Sequence, residues 1–135
     1  MASIDKFGYI RTAAVTPVLE LGNVEANVVE IERCLKICYD NSVSLVVFPE
    51  LCITGYSLGD LFFQTSLLND AFNSITQLSR LSKIYDITFI VGIPLKVNSK
   101  LYNCAALFNN GKMKGIIPKT YLCNYGEFYE ERWFS

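Results

Sequence analysis

Two stretches of this chain, Ser42–Phe48 and Ile87–Ile93, are apolar and β-branched without polar–apolar alternation. Runs of that kind read as strands covered on both faces, the pattern of a largely parallel sheet with helices packed on it. A helical stripe precedes each run. Val24, Val28, Ile31, Leu35 and Cys38 recur at steps of four and three, and Leu67, Ala71, Ile75, Leu78 and Ser82 do likewise. Asn23 is placed to cap the first helix, with Glu25 in the first turn where the helix dipole favours an anion, and Asp40–Asn41 closes it. With Tyr9–Val15 as an opening strand, the chain begins β-α-β-α-β. Pro17, Pro49 and Pro94 are expected to stop these three strands, because proline brings no N–H to a ladder.

The last third changes character. Leu101–Phe108 and Lys112–Ile117 flank Asn109-Asn110-Gly111, and Asn-Gly between apolar runs signals a tight hairpin. Pro118 ends the final strand, and Lys119–Ser135 is dense in aromatics. The expected order is β-α-β-α-β-β-β in one α/β domain, with Glu50–Asp60 as a loop leaving the end of a buried strand. Ligand sites in open α/β sheets collect at such carboxyl ends.

Composition removes several function classes. Twelve Lys and Arg against 13 Asp and Glu leave no electrostatic footprint for nucleic acid or an anionic membrane. With no His, a Ser-His-Asp triad, a Cys-His dyad and an imidazole-bound metal are excluded. The five cysteines, Cys34, Cys38, Cys52, Cys104 and Cys123, form no CxxC pair, so no metal site is expected. Their odd number, and a Met1–Arg11 stretch unlike a secretory leader, lead to the expectation of reduced thiols in a cytoplasmic protein. No apolar run approaches the roughly 20 residues of a membrane helix.

Two segments carry candidate chemistry. In Phe48-Pro49-Glu50-Leu51-Cys52-Ile53-Thr54-Gly55-Tyr56, Glu50 leaves a buried strand beside Leu51 and Ile53. Partial desolvation there would raise its pKa toward that of a general base, against the plainer reading of a solvent-facing carboxylate. In the second segment Lys119 follows Ile117-Pro118, with Tyr121, Tyr125 and Phe128 nearby. It reads either as a cation held near a reacting carbonyl or as a surface lysine lying over an aromatic patch.

Taken together, "FPELCITGYSLGDLF" and "PKTYLCNYGEFYEERWF", with "GYIRTAAVTP", "VGIPL" and "LYNCAALFNNGK", resemble the nitrilase superfamily of carbon–nitrogen hydrolases. Within it they are most similar to the glutaminase domain of glutamine-dependent NAD synthetases. The resemblance implies an α-β-β-α sandwich, of which residues 1–135 would be the N-terminal half. It implies a Glu–Lys–Cys triad in which a thiolate attacks the glutamine side-chain amide. Ammonia leaves, and water hydrolyses the thioester. On that pattern Glu50 matches the general base and Lys119 the oxyanion-stabilising cation. Tyr125, Phe128 and Tyr56 match the glutamine pocket, and Glu127 matches a supporting acid that orients the lysine.

The same resemblance implies that the nucleophilic cysteine lies further along than Ser135. None of the five cysteines matches it, and Cys38 and Cys104 read as small core residues. This domain is expected to need no cofactor. ATP and deamido-NAD are implied only for a separate synthetase domain. Glutamine, the rest of the same polypeptide and a homo-oligomeric assembly are the expected partners. The chain alone is expected to be inactive and to leave apolar strand faces uncovered. Another nitrilase-family amidase and a non-catalytic assembly domain are the alternatives.

Overall fold

A computed structural model describes residues 8–135; the leader reading of Met1–Arg11 falls in part outside them. Five strands and two long helices follow the expected order: β1 (Thr12–Ala14), α1 (Val24–Asp40), β2 (Leu45–Val47), α2 (Thr65–Ile84), β3 (Thr88–Val97), β4 (Lys100–Asn109) and β5 (Lys112–Pro118). Short 3-10 turns occupy Gly59–Phe63 and Glu130–Arg132. The sheet order is β1-β2-β3-β4-β5, with β1, β2 and β3 parallel and β3, β4 and β5 antiparallel.

Local chemistry accounts for the boundaries. The Asn23 side chain accepts from the Ala26 N–H at 3.1 Å and caps α1 as its position in sequence suggested. The β4–β5 turn has positive φ at both Asn110 (46°) and Gly111 (76°), as a type I′ hairpin demands. A second two-residue turn, Asn98–Ser99, with Asn98 at φ 56°, joins β3 to β4.

Three expectations about strands are corrected. The first strand is three residues long rather than Tyr9–Val15, because it pairs only with the three residues of β2, and Tyr9 and Ile10 lie exposed. The second is likewise shorter than Ser42–Phe48, since Ser42 sits in a turn at φ 57°. Pro94 does not end β3, which runs on to Val97 against β4. The Ile90 and Gly92 carbonyls point away from β4, accepting from Phe48 N at 2.9 Å and Ile53 N at 3.2 Å. Pro94 shares their phase, so its missing N–H falls on that side, past the last residue paired with β2. No ladder bond is lost.

The two crossovers place α1 and α2 together on one face of the sheet, as right-handed connections between successive parallel strands require. That face supplies Val46, Phe89, Val91, Ile93, Ala106 and Phe108 to one core with Val28, Ile31, Leu35, Leu78 and Leu81. Phe89 stacks on Phe108 with ring centroids 5.2 Å apart. The opposite face presents Leu45, Val47, Ile90, Ala105, Leu107 and Ile117, which no element among the described residues seals. β2 is therefore covered on one face, not on two. The family resemblance implied this, whereas the apolar run of β2 did not.

Candidate active site

β2 and β5 run in the same direction, so Glu50 and Lys119 both emerge at the same end of the sheet. Their side chains meet: Lys119 Nζ donates to Glu50 Oε1 at 2.8 Å across 69 residues of sequence. The Asn103 amide, buried on β4, donates to the same oxygen. Oε2 of Glu50 has no hydrogen-bond partner among the described residues, and the side chain is 43% exposed. The desolvation expected of Glu50 is thus not what the structure shows: Leu51 and Ile53 turn into the core and leave the carboxylate at the rim.

Burial falls on another carboxylate. Glu130 is almost completely enclosed and its oxygens are fully used. Oε1 accepts from Tyr56 Oη at 2.7 Å and Lys119 Nζ at 3.0 Å. Oε2 accepts from Cys123 N at 2.9 Å and forms an ion pair with Lys119 Nζ at 2.8 Å. The lysine therefore sits between two carboxylates of different character, one saturated and one with an oxygen free.

The charges follow from those contacts. Burial works to lower the Lys119 pKa, but the hydrogen bonds and charges of Glu130 and Glu50 outweigh it and the net shift is upward. Burial likewise works to raise the Glu130 pKa, and Lys119, the Cys123 N–H and Tyr56 reverse it to a net lowering. Burial and the neighbouring Glu130 push the Tyr56 phenol upward. The ammonium is fixed as a cation and Tyr56 as a hydrogen-bond donor.

Backbone geometry sets Glu50 in place. Leu51 adopts φ 51° with its side chain wholly buried, turning the chain sharply after Glu50. That turn lies on Gly92 of β3, where a Cβ would come within 2.1 Å of Leu51 N and 2.7 Å of Glu50 Cα. Only glycine allows this approach. Asn27 of α1 secures the next stretch by donating to Ile53 O at 3.1 Å.

Tyr56, Phe128 and Tyr125 form a row, with ring centroids 6.2 Å and 5.9 Å apart at successive edge-to-face contacts. The structure thus brings these three pocket candidates together beside the Tyr56–Glu130 bond. The lysine's own neighbours are carboxylates, not the aromatics expected around it, and Tyr121 and Tyr125 are largely exposed. Glu127, expected to orient the lysine, is exposed in a turn and forms no side-chain hydrogen bond among the described residues; Glu130 occupies that role. A mostly apolar cleft of about 350 Å³ runs from Glu50, Asn103 and Lys119 over Val47, Ile90, Ala105 and Ile117 on the open face.

Three contributors escaped the sequence reading. Asn103 is a polar residue inside the apolar run of β4, Gly92 is a glycine inside a buried strand, and Glu130 is one of several acids in the aromatic-rich tail. The first two carried a readable signal, because a polar side chain or a glycine in such a run needs a reason. Glu130 carried none, since its burial depends on Tyr56, 74 residues away.

All five cysteines are free thiols, and they differ in exposure. Cys34, Cys38, Cys52 and Cys104 are buried. Burial pushes the Cys52 thiol up to about 12. Cys123 is half-buried, its sulfur 3.8 Å from Lys119 Nζ. No cluster of potential metal ligands and no helix long and apolar enough to cross a membrane occurs among the described residues.

The carbon-nitrogen hydrolase family model matches residues 11–134. A glutamine-dependent NAD(+) synthetase of Mycobacterium bovis is 36% identical over 125 residues, covering 93% of this chain and 18% of that protein. A crystal structure of a glutamine-dependent NAD(+) synthetase from Cytophaga hutchinsonii superposes with a TM-score of 0.83 at 32% identity, covering 93% of this chain and 21% of the other. An amidase from Nesterenkonia sp. shares the fold, with a TM-score of 0.80 at 19% identity over 93% of this chain and 47% of its own. The chain thus spans about a fifth of the synthetases it matches.

Proposed function

We propose, from the premise that the chain belongs to the carbon–nitrogen hydrolase family, that it is the N-terminal part of the glutaminase domain of a glutamine-dependent NAD synthetase. The observation that carries this reading is the 2.8 Å Glu50–Lys119 contact at the carboxyl end of the sheet. In such an enzyme the thiol comes from elsewhere in the polypeptide. Glu50, with Oε2 free, accepts the thiol proton as the sulfur attacks the amide carbon, and later takes a proton from the hydrolytic water. Lys119, fixed as a cation, stabilises the oxyanion of each tetrahedral intermediate. The proton that Glu50 took from the thiol is passed on to the departing ammonia. Tyr56, Phe128 and Tyr125 line the approach for glutamine. The ammonia serves ATP-dependent amidation of deamido-NAD in a separate domain, and the setting is cytoplasmic.

The test is ammonia release from glutamine by the full-length protein that carries this chain. Glu50→Gln or Lys119→Ala is expected to reduce it to background while synthesis from added ammonia continues. Wild-type turnover in Lys119→Ala would overturn the assignment. Hydrolysis of simple aliphatic amides in place of glutamine would replace it with an amidase.

A further inference from the structure

We infer that Asp60 is a positioning residue for Lys119, acting through Arg132, Trp133 and Glu130; this deepens the glutaminase reading and rests on it. The segment from Glu50 to Phe63 and the tail from Lys119 to Ser135 are joined by three side-chain rungs. Glu50 meets Lys119 at 2.8 Å and Tyr56 meets Glu130 at 2.7 Å. The third rung is Asp60, whose two oxygens accept from Arg132 Nε at 2.7 Å and Nη2 at 2.8 Å. The Trp133 indole adds a third donor to Oδ1 at 3.0 Å.

That rung transmits position because its donors share a turn with Glu130. Arg132 lies within the Glu130–Arg132 turn, and the N–H groups of Trp133 and Phe134 bond back to the Glu130 carbonyl at 3.0 and 2.9 Å. Fixing Arg132 and Trp133 therefore fixes the backbone from which Glu130 reaches Lys119. Phe62, two residues after Asp60, packs on Trp133 and Phe134 with centroids 6.1 and 5.1 Å away. Asp60 and Arg132 are 60% and 56% exposed, so their pairing adds little to stability. Its forked geometry nonetheless specifies orientation, which a single-point ion pair does not. Arg132 and Trp133 hold the Asp60 carboxyl well below its usual range, so the rung stays charged.

The experiment uses the full-length protein with Asp60→Ala and Asp60→Asn. Asp60→Ala is expected to lower kcat for glutamine hydrolysis about tenfold or more, within the roughly 10²-fold that a 1 Å misplacement can cost. KM and the thermal midpoint should stay near wild type. The alkaline limb of kcat should move to lower pH as Lys119 loses the support of Glu130. Asp60→Asn, which keeps an acceptor for Trp133, should recover part of kcat. Wild-type kcat and an unmoved limb in Asp60→Ala would overturn the inference and leave the glutaminase reading intact. Should Asp60→Ala fail to fold, Asp60→Asn and Arg132→Lys decide on the same readouts. A wild-type protein that releases no ammonia from glutamine would overturn the glutaminase reading, and the inference with it.

Discussion

Both faces of the sheet carry apolar residues, but their environments are opposite. Val46, Phe89, Val91, Ile93, Ala106 and Phe108 are wholly buried under the helices, whereas Val47 is 43% and Ile117 70% exposed on the other side. Alternate residues of the same strands thus do different work. The helix-facing set holds the chain together, and the open set forms the floor of the cleft that ends at Glu50 and Lys119. Strand sequences of this kind reveal burial potential, while the partner layer decides which half of that potential is used.

Substitutions on the two faces should separate these roles. Phe108→Ala, which removes the stacked partner of Phe89, is expected to cost about 3–5 kcal/mol in denaturant unfolding. Ile117→Ala on the open face should stay within about 0.5 kcal/mol, and equal costs would erase the distinction.

Glu130→Gln should come next, at roughly 1.5–3 kcal/mol near neutral pH, because it weakens charged hydrogen bonds in an enclosed site. Its pH dependence has two limbs of defined sign. Glu130, with its folded pKa lowered, stabilises the protein above the ordinary carboxylate value of 4.5, and this is lost as pH falls through the folded value. Lys119, with its folded pKa raised, stabilises below the ordinary 10.5, and this is lost as pH rises through the folded value. Glu130→Gln should flatten the acid limb in unfolding curves from pH 6 down to pH 3, where an unchanged slope would count against the assignment.

Gly92→Ala should destabilise by about 1–3 kcal/mol through its collision with the Glu50–Leu51 backbone, a disproportionate effect for one methyl group. A neutral result would show that the turn carrying Glu50 can retreat from β3. The smallest effect on folding, and the clearest on association, should come from the open face. Residues 1–135 alone are expected to self-associate and to bind a hydrophobic dye. The double substitution Val47→Lys and Ile117→Lys should suppress both by light scattering and fluorescence.

Much of this organisation was legible because it depends on near neighbours in sequence. Helix periodicity, the Asn23 cap and the Asn110–Gly111 turn each involve a few consecutive residues, and all three occur where expected. Glu50 and Lys119 were legible through family resemblance, and the geometry joins them. Strand ends were less so, because pairing sets them: β1 stops where β2 offers no further partner, and Pro94 is tolerated because of the side on which its missing N–H lies. The choice of Glu130 over Glu127 was hidden for the same reason, since it depends on which acid the backbone turn of the tail brings to Tyr56.

The strand order along the sheet repeats the order along the chain. A sheet with that property grows at one edge only, each strand docking on its predecessor without having to be inserted between two others. During synthesis from the N-terminus the proposed base is therefore laid down first, its amide partner Asn103 arrives with β4, and the cation follows β5. The Glu130 clamp closes after all of these. Assembly of the ion-pair network thus reports that β1 to β5 have paired in register, and a chain interrupted or misregistered before β5 has a carboxylate but no cation beside it.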